Sequence, residues 1–223
     1  MSSISSKQLF YPFVLSALWL LILNLNRLSV FRLTPDVALI CTFVFQMIFM
    51  CSVYFLTKSK GVTSFFRNVG LVKCNIKYFL ILPFVLFGFF VFNFIYNIGV
   101  YLFDPTIPTQ AEHLLSYIYK TSYPTFFFIL ATFVAPIVEE TFFRGYFFSQ
   151  LNKSYSFLSS SITTSLIFAL MHGIARVQIP IFVLGMIFCY LLKKSNSILP
   201  GIVLHMIINI TGTIALYYIK SLA

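Results

Sequence analysis

Acidic side chains are almost missing from this sequence. Of 223 residues only 5 are Asp or Glu, against 15 Lys or Arg, and charged residues together make up 9% of the chain. An average soluble domain carries about 25% charged residues, so this chain has too few to cover a globule in water. Tryptophan occurs once, and the four cysteines (Cys41, Cys51, Cys74 and Cys189) show no Cys-x-x-Cys spacing. That argues against a zinc ribbon or a disulfide framework; three of the four sit inside apolar runs and read as small core or lipid-facing residues. What the chain has instead is apolar surface: 60% of its residues, 29 of them Phe. A soluble enzyme, a disordered protein and a nucleic-acid-binding domain all fit this composition poorly. The net charge of +10 belongs to loops between apolar runs, where Lys and Arg orient a membrane protein and meet anionic lipid.

A helix needs about 20 residues to cross the hydrocarbon core. Seven segments qualify, at roughly 9–25, 37–57, 78–103, 124–150, 156–173, 178–192 and 198–218. The fold class expected is all-α, a polytopic transmembrane helical bundle of seven or eight spans. Lys7 stands ahead of the first run as in a signal peptide, but no small-x-small cleavage site follows, so a retained helix is expected. No repeat or low-complexity stretch divides the chain. Residues 1–123 read as N-terminal helices and an interfacial segment, and 124–223 as a helical core, in one integrated membrane domain. With the N-terminus inside, nine basic loop residues fall inside (Lys7, Lys58, Lys60, Arg67, Lys73, Lys77, Lys153, Lys193, Lys194) and five outside (Arg27, Arg32, Lys120, Arg176, Lys220). The excess predicts that orientation. Segment 104–122 is the one long polar connection on the other side. Thr109 and Glu112 fit a capping box, and Leu114, Leu115 and Ile118 follow at helical spacing, which predicts a short helix lying in the interface. Glu112 and His113 are explained by it. Tyr117, Tyr119, Tyr123, Tyr217 and Tyr218 read as interfacial anchors.

Against this background Glu139 and Glu140 are out of place. They are adjacent, in the middle of a long apolar run. One charge at the bilayer centre costs roughly 2.5–3.5 kcal/mol on insertion scales, and a second carboxylate beside it adds repulsion. Arg144 follows Glu140 by four residues, one helical turn, and predicts an internal ion pair. Glu139 points about 100° away on a regular helix, free to face other helices as a general base. Pro136 cannot donate to the Thr132 carbonyl and predicts a kink beside the pair. His172 and His205 also lie in apolar runs. Phe168 precedes His172 by one turn, and Asn209 follows His205 by one turn. His205 and Asn209 could present two hydrogen-bond donors side by side, as an oxyanion requires.

These residues form three motifs: Glu139-Glu140-x-x-x-Arg144, continued by Gly145; Phe168-x-x-x-His172; and His205-x-x-x-Asn209. Three in this order on three helices resemble the CPBP family, which comprises type II CAAX prenyl endopeptidases and bacteriocin-processing enzymes and is also called Abi. The likeness covers about 124–213 and includes Gly185 and Pro200. It implies an intramembrane endopeptidase. By motif position, Glu139 and His172 would activate a water for attack on a peptide carbonyl, and His205 and Asn209 would stabilise the oxyanion. Glu140 and Arg144 would shape the site, with Phe168 packed under His172.

The family has been described both as zinc-dependent and as metal-free. The residues lean towards no cofactor, because nothing here has His-Glu-x-x-His spacing; the alternative is zinc held by Glu139, His172 and His205. Partners expected are a peptide or membrane-protein substrate and the lipid bilayer, with no nucleic acid; the number of chains in the assembly is left open. The Lys-, Asn-, Ile- and Phe-rich composition looks like that of a low-GC bacterium. In a bacterial cytoplasmic membrane the resemblance implies bacteriocin or peptide-pheromone processing, or self-immunity. A non-catalytic immunity or scaffold protein of the same fold is the competing reading. A carrier is a weaker one, because no inverted repeat is visible. For Glu139 and His172 to meet, the fifth helix has to stop short or dip only part way, or the fourth has to start deep.

Overall fold

The computed structural model describes residues 14–18, 33–57, 61–107, 120–173 and 175–221, excepting the side chains of 175 and 216–221. Every regular element among them is helical. Helix α1 is Pro35–Leu56, started by Thr34, whose side chain accepts from the Val37 N–H, and by Pro35 in the first turn. A short α2 (Val62–Asn68) follows. Helix α3 is Lys77–Phe103 and α4 is Pro124–Leu151. Ser156 caps α5 (Phe157–Leu170) by accepting from the Ser159 N–H. Helices α6 (Ala175–Ser195) and α7 (Leu199–Ser221) complete the chain.

Four of the described helices, α1, α3, α4 and α6, are long and apolar enough to cross a membrane. The expected seven or eight spans are not reached among the described residues. The first expected span, 9–25, is described only at 14–18, which are helical. The segment expected to span at 156–173 is the 14-residue α5, about 21 Å long against a hydrocarbon core of about 30 Å. In α7 the described apolar part is Leu199–Ala215, also shorter than a span. The capping box at Thr109 and Glu112, together with His113, Leu114, Leu115, Tyr117, Ile118 and Tyr119, lies outside the described residues. So do the side chains of Tyr217 and Tyr218.

Two apolar clusters hold the bundle. In one, Phe49 and Val53 of α1, Phe65 of α2 and Val69 pack on Val138, Phe142, Phe143 and Tyr146 of α4 and on Phe168 of α5. The rings of Phe49 and Phe142 stack at 4.3 Å. In the other, Leu82 and Phe89 of α3 meet Leu184, Phe188 and Leu191 of α6 and Leu204 of α7. The polar motif residues lie where the two clusters face each other.

Helix α4 is not the regular helix that the spacing argument assumed. Leu130–Val134 and Glu140–Phe148 are π-helical, with an α-helical stretch, Ala135–Glu139, between them. The effect expected as one kink at Pro136 is spread over two widened turns, a form that recurs at functional sites. Gly145 sits in the second. A Cβ there would lie 2.6 Å from the Val69 carbonyl oxygen, so only glycine lets α4 come this close to the segment after α2.

Arg176 corrects another expectation. It was assigned to an outside loop, yet it sits in the first turn of α6 with 6% of its surface exposed. Its Nε donates to Asn97 Oδ1 (3.0 Å), its Nη2 to the Asn97 carbonyl (3.1 Å) and its Nη1 to the Ile107 carbonyl (2.7 Å). One guanidinium thus ties α6 to the far end of α3. A second tie joins α1 to α4: Asp36 Oδ1 accepts from Thr121 Oγ1 (2.7 Å) and from the Ser122 N–H (2.8 Å).

Candidate active site

The Glu139–Glu140 pair falls at the junction between the α-helical and π-helical turns of α4, and the two side chains meet different surroundings. Glu140 is buried. Its Oε1 accepts from Arg144 Nη1 at 2.9 Å and lies 3.2 Å from His205 Nδ1. Gly201 of α7 leaves it room, since a Cβ there would stand 3.3 Å from Glu140 Oε2. Glu139 keeps 21% of its side chain exposed, against 1% for Glu140. Its Oε2 lies 3.8 Å from His205 Nε2, too far for a hydrogen bond.

Arg144 is wholly buried. Its guanidinium lies between two rings, 4.2 Å from the centroid of Phe168 and 4.8 Å from that of Phe188. Cation–π attraction on both sides helps to hold the charge away from water. Phe168 also takes the edge of His172 at 4.8 Å and of His205 at 6.0 Å. It therefore packs beside His172 as expected and, beyond that, brings the side chains of all three motifs against one ring.

Hydrogen-bond partners decide the histidine tautomers. His172 Nδ1 is 2.8 Å from the Phe168 carbonyl, which can only accept, so Nδ1 carries the proton and Nε2 keeps its lone pair. Facing the Glu140 carboxylate, His205 Nδ1 carries a proton by the same argument. His172 and Glu139 are close enough to interact electrostatically. Helix α5 ends at Leu170, two residues before His172.

Asn209 stands one turn beyond His205, but one of its amide hydrogens is already engaged, by the Ala131 carbonyl at 2.8 Å. The cause lies in α4. In the first π-turn the Ala135 N–H bonds to the Leu130 carbonyl, five residues back. The same register would give Ala131 the N–H of residue 136, which is proline and has none. Asn209 supplies the missing donor. The side-by-side donors expected of His205 and Asn209 are thus reduced by one hydrogen.

The expected zinc ligands do not come together as a set. Among the described residues no three of His, Cys, Asp and Glu form a group that could hold a metal ion, so the placement of Glu139, His172 and His205 does not fit a three-ligand zinc site. Sequence reasoning missed Phe188, Gly201 and the pairing of Asn209 with Ala131. Phe188 is one of 29 Phe and carried no signal of its own. Gly201, four residues before His205, and Pro136 were readable as exceptions to helix composition.

Residues 121–211 match the family model of type II CAAX prenyl endopeptidase Rce1-like proteins. Over this segment the chain is similar to the Rce1-like family. The Rce1-like segment contains every residue of the three motifs, whereas α1, α2 and α3 lie outside it. The similarity is to CAAX-type membrane proteases, and the apolar helices suit an integral membrane protein. No curated protein and no solved structure matches the chain.

Proposed function

We propose that the chain is an intramembrane endopeptidase that cleaves a peptide or a membrane-protein segment by attack of an activated water. The observation that carries this reading is the unequal setting of the two carboxylates. Glu140 is neutralised by Arg144, while Glu139 is partly exposed beside His205. A water bound by Glu139 and by the free Nε2 of His172 loses its proton to Glu139 as its oxygen adds to the peptide carbonyl carbon. The amide C–N bond then breaks, and the proton passes to the leaving amine. His205, flanked by Glu139 and Glu140, donates to the oxyanion from Nε2 when it is doubly protonated, and Asn209 donates through its remaining amide hydrogen. Every step uses side chains alone, so a chelator should leave product formation unchanged.

The substrates that suit this reading are bacteriocin or pheromone precursors, or a bacteriocin to which the cell is immune. They would be met in a bacterial cytoplasmic membrane, with the N-terminus of the enzyme inside. The test compares peptide termini in membranes from cells expressing wild type or Glu139→Gln at equal levels, by mass spectrometry. Termini found only with the wild type support hydrolysis. Identical termini, with both proteins inserted and a cleavable peptide supplied, would replace it with a binding role in immunity or scaffolding.

A further inference from the structure

The exposed charges of this chain gather at one end of the bundle. Arg67, Lys73, Lys77, Lys153, Lys193 and Lys194 are all exposed. The segment before α3 is joined to the turn after α6, where Ser197 Oγ donates to the Val72 carbonyl and the Ile198 N–H to the Gly70 carbonyl. Lys193 Nζ lies 4.1 Å from the ring centroid of Phe157, the first residue of α5, a few residues beyond Lys153. Among the described residues no carboxylate accompanies these cations. Asp36 opens α1 and Asp104 follows the last residue of α3, both at the other end, while Glu139 and Glu140 lie in the middle of α4.

Two of the lysines are held close to one spot. The Tyr78 hydroxyl donates to the Lys194 carbonyl, which fastens the first turn of α3 to the last turn of α6. Lys77 Nζ lies 5.1 Å from the centroid of the Tyr78 ring, and Lys194 Nζ lies 5.5 Å from that of Tyr190. Cation–π attraction at these distances restrains long side chains. Lys77 also heads an apolar stripe. Leu80, Ile81, Phe84, Phe87 and Val91 follow it at i+3, i+4, i+7, i+10 and i+14, on one face of α3, and are 41–79% exposed. From Lys77 to Phe87 the helix rises about 15 Å, half of a hydrocarbon core of about 30 Å. A cationic head over an apolar stripe one leaflet deep complements an anion that carries acyl chains. Free phosphate would leave the stripe bare, and a neutral lipid would leave the lysines without counter-charge. We propose that Lys77 and Lys194, with the stripe beneath Lys77, form a binding site for one anionic diacyl phospholipid. Its phosphate lies between the two ammonium groups and its acyl chains run along α3. The site differs from the general attraction of basic loops to an anionic leaflet, because it depends on two particular lysines and not on the total charge. It would exist equally in a catalytically inert chain.

The test is native mass spectrometry of the full chain released from detergent micelles, with phosphatidylglycerol or phosphatidylcholine of the same acyl chains added. The wild type should carry a single-lipid adduct several-fold more often with phosphatidylglycerol than with phosphatidylcholine. The adduct should fall several-fold in the Lys77→Gln, Lys194→Gln variant. It should persist in the Arg67→Gln, Lys153→Gln variant, which removes the same charge from the same end. Millimolar inorganic phosphate should leave it in place. Equal adducts of the two lipids on the wild type overturn the proposal, whatever the variants do to folding. Equal loss in both variants overturns it in favour of diffuse attraction, and displacement by inorganic phosphate in favour of a site for the free ion. A dimer mass in place of the lipid adduct overturns it in favour of a second copy of the chain on the α3 stripe.

Discussion

Glu140 and Arg144 depend on each other in a way that Glu139 depends on neither. Taking away one partner of a buried ion pair leaves the other charge uncompensated and costs about 3–5 kcal/mol. Arg144→Ala should therefore lower the melting temperature in detergent by on the order of 10 °C. Glu139→Gln should leave it nearly unchanged while product formation disappears, because Glu139 is partly exposed and has no hydrogen-bonded cation. If both variants melt alike, the two carboxylates do not have the separate roles argued for them. Asn209 permits a second test. Asn209→Ala leaves the Ala131 carbonyl without a donor and should cost about 1–3 kcal/mol. In a Pro136→Ala background residue 136 gains an N–H, and the loss should shrink by more than half. A double-mutant cycle with no coupling would mean that the Asn209 bond is not there to serve that carbonyl. The one-turn spacings of Glu140 with Arg144, Phe168 with His172 and His205 with Asn209 were legible in the sequence, because four residues make a face on any helix. That Phe168 and Phe188 would sandwich Arg144 was not. Ring stacking across helices is set by tertiary packing, and no local pattern marks it.

At the scale of elements, apolar runs located all six longer helices among the described residues to within a few residues. They failed where length and register decide. The expected span at 156–173 absorbed Ser156 and the turn around His172, so a short helix looked like a crossing one. The widened turns of α4 have no composition signature at all. Gly145 in the second of them admits close contact with Val69, and Pro136, between the two, removes a donor. Gly145→Ala should press a methyl against a backbone carbonyl that cannot move aside as a side chain would. A loss of about 1–3 kcal/mol is expected, seen as earlier thermal unfolding, whereas the same substitution at Gly88 or Gly99, where nothing lies within 4 Å of the added Cβ, should cost nothing. Equal stability at all three positions would show that the contact with Val69 is dispensable.

On the scale of the whole molecule, α4 is the most enclosed of the four described candidate spans and α3 the least: only 11% of its apolar window is buried. Near one end α3 is fastened by Arg176 through Asn97. At the other, the segment before it is pinned to the turn between α6 and α7, where the Ile198 N–H meets the Gly70 carbonyl at 2.9 Å. Between these fastenings α3 presents Phe84, Phe87, Phe94 and Ile95 to its surroundings. Its 27 residues measure about 40 Å, longer than a hydrocarbon core of about 30 Å. A helix with this excess tilts, and the tilt it needs is fixed by the acyl chains around it. Bilayer thickness therefore becomes a variable of this molecule. In reconstituted membranes of increasing acyl length α3 should stand more upright and pull on the Arg176 fastening. Protection of the Asn97 and Ile107 region in hydrogen exchange should change with lipid length in the wild type, and less so in Arg176→Gln. The lipid would then act on the distance between α3 and α6 as temperature or ligand does in a soluble protein.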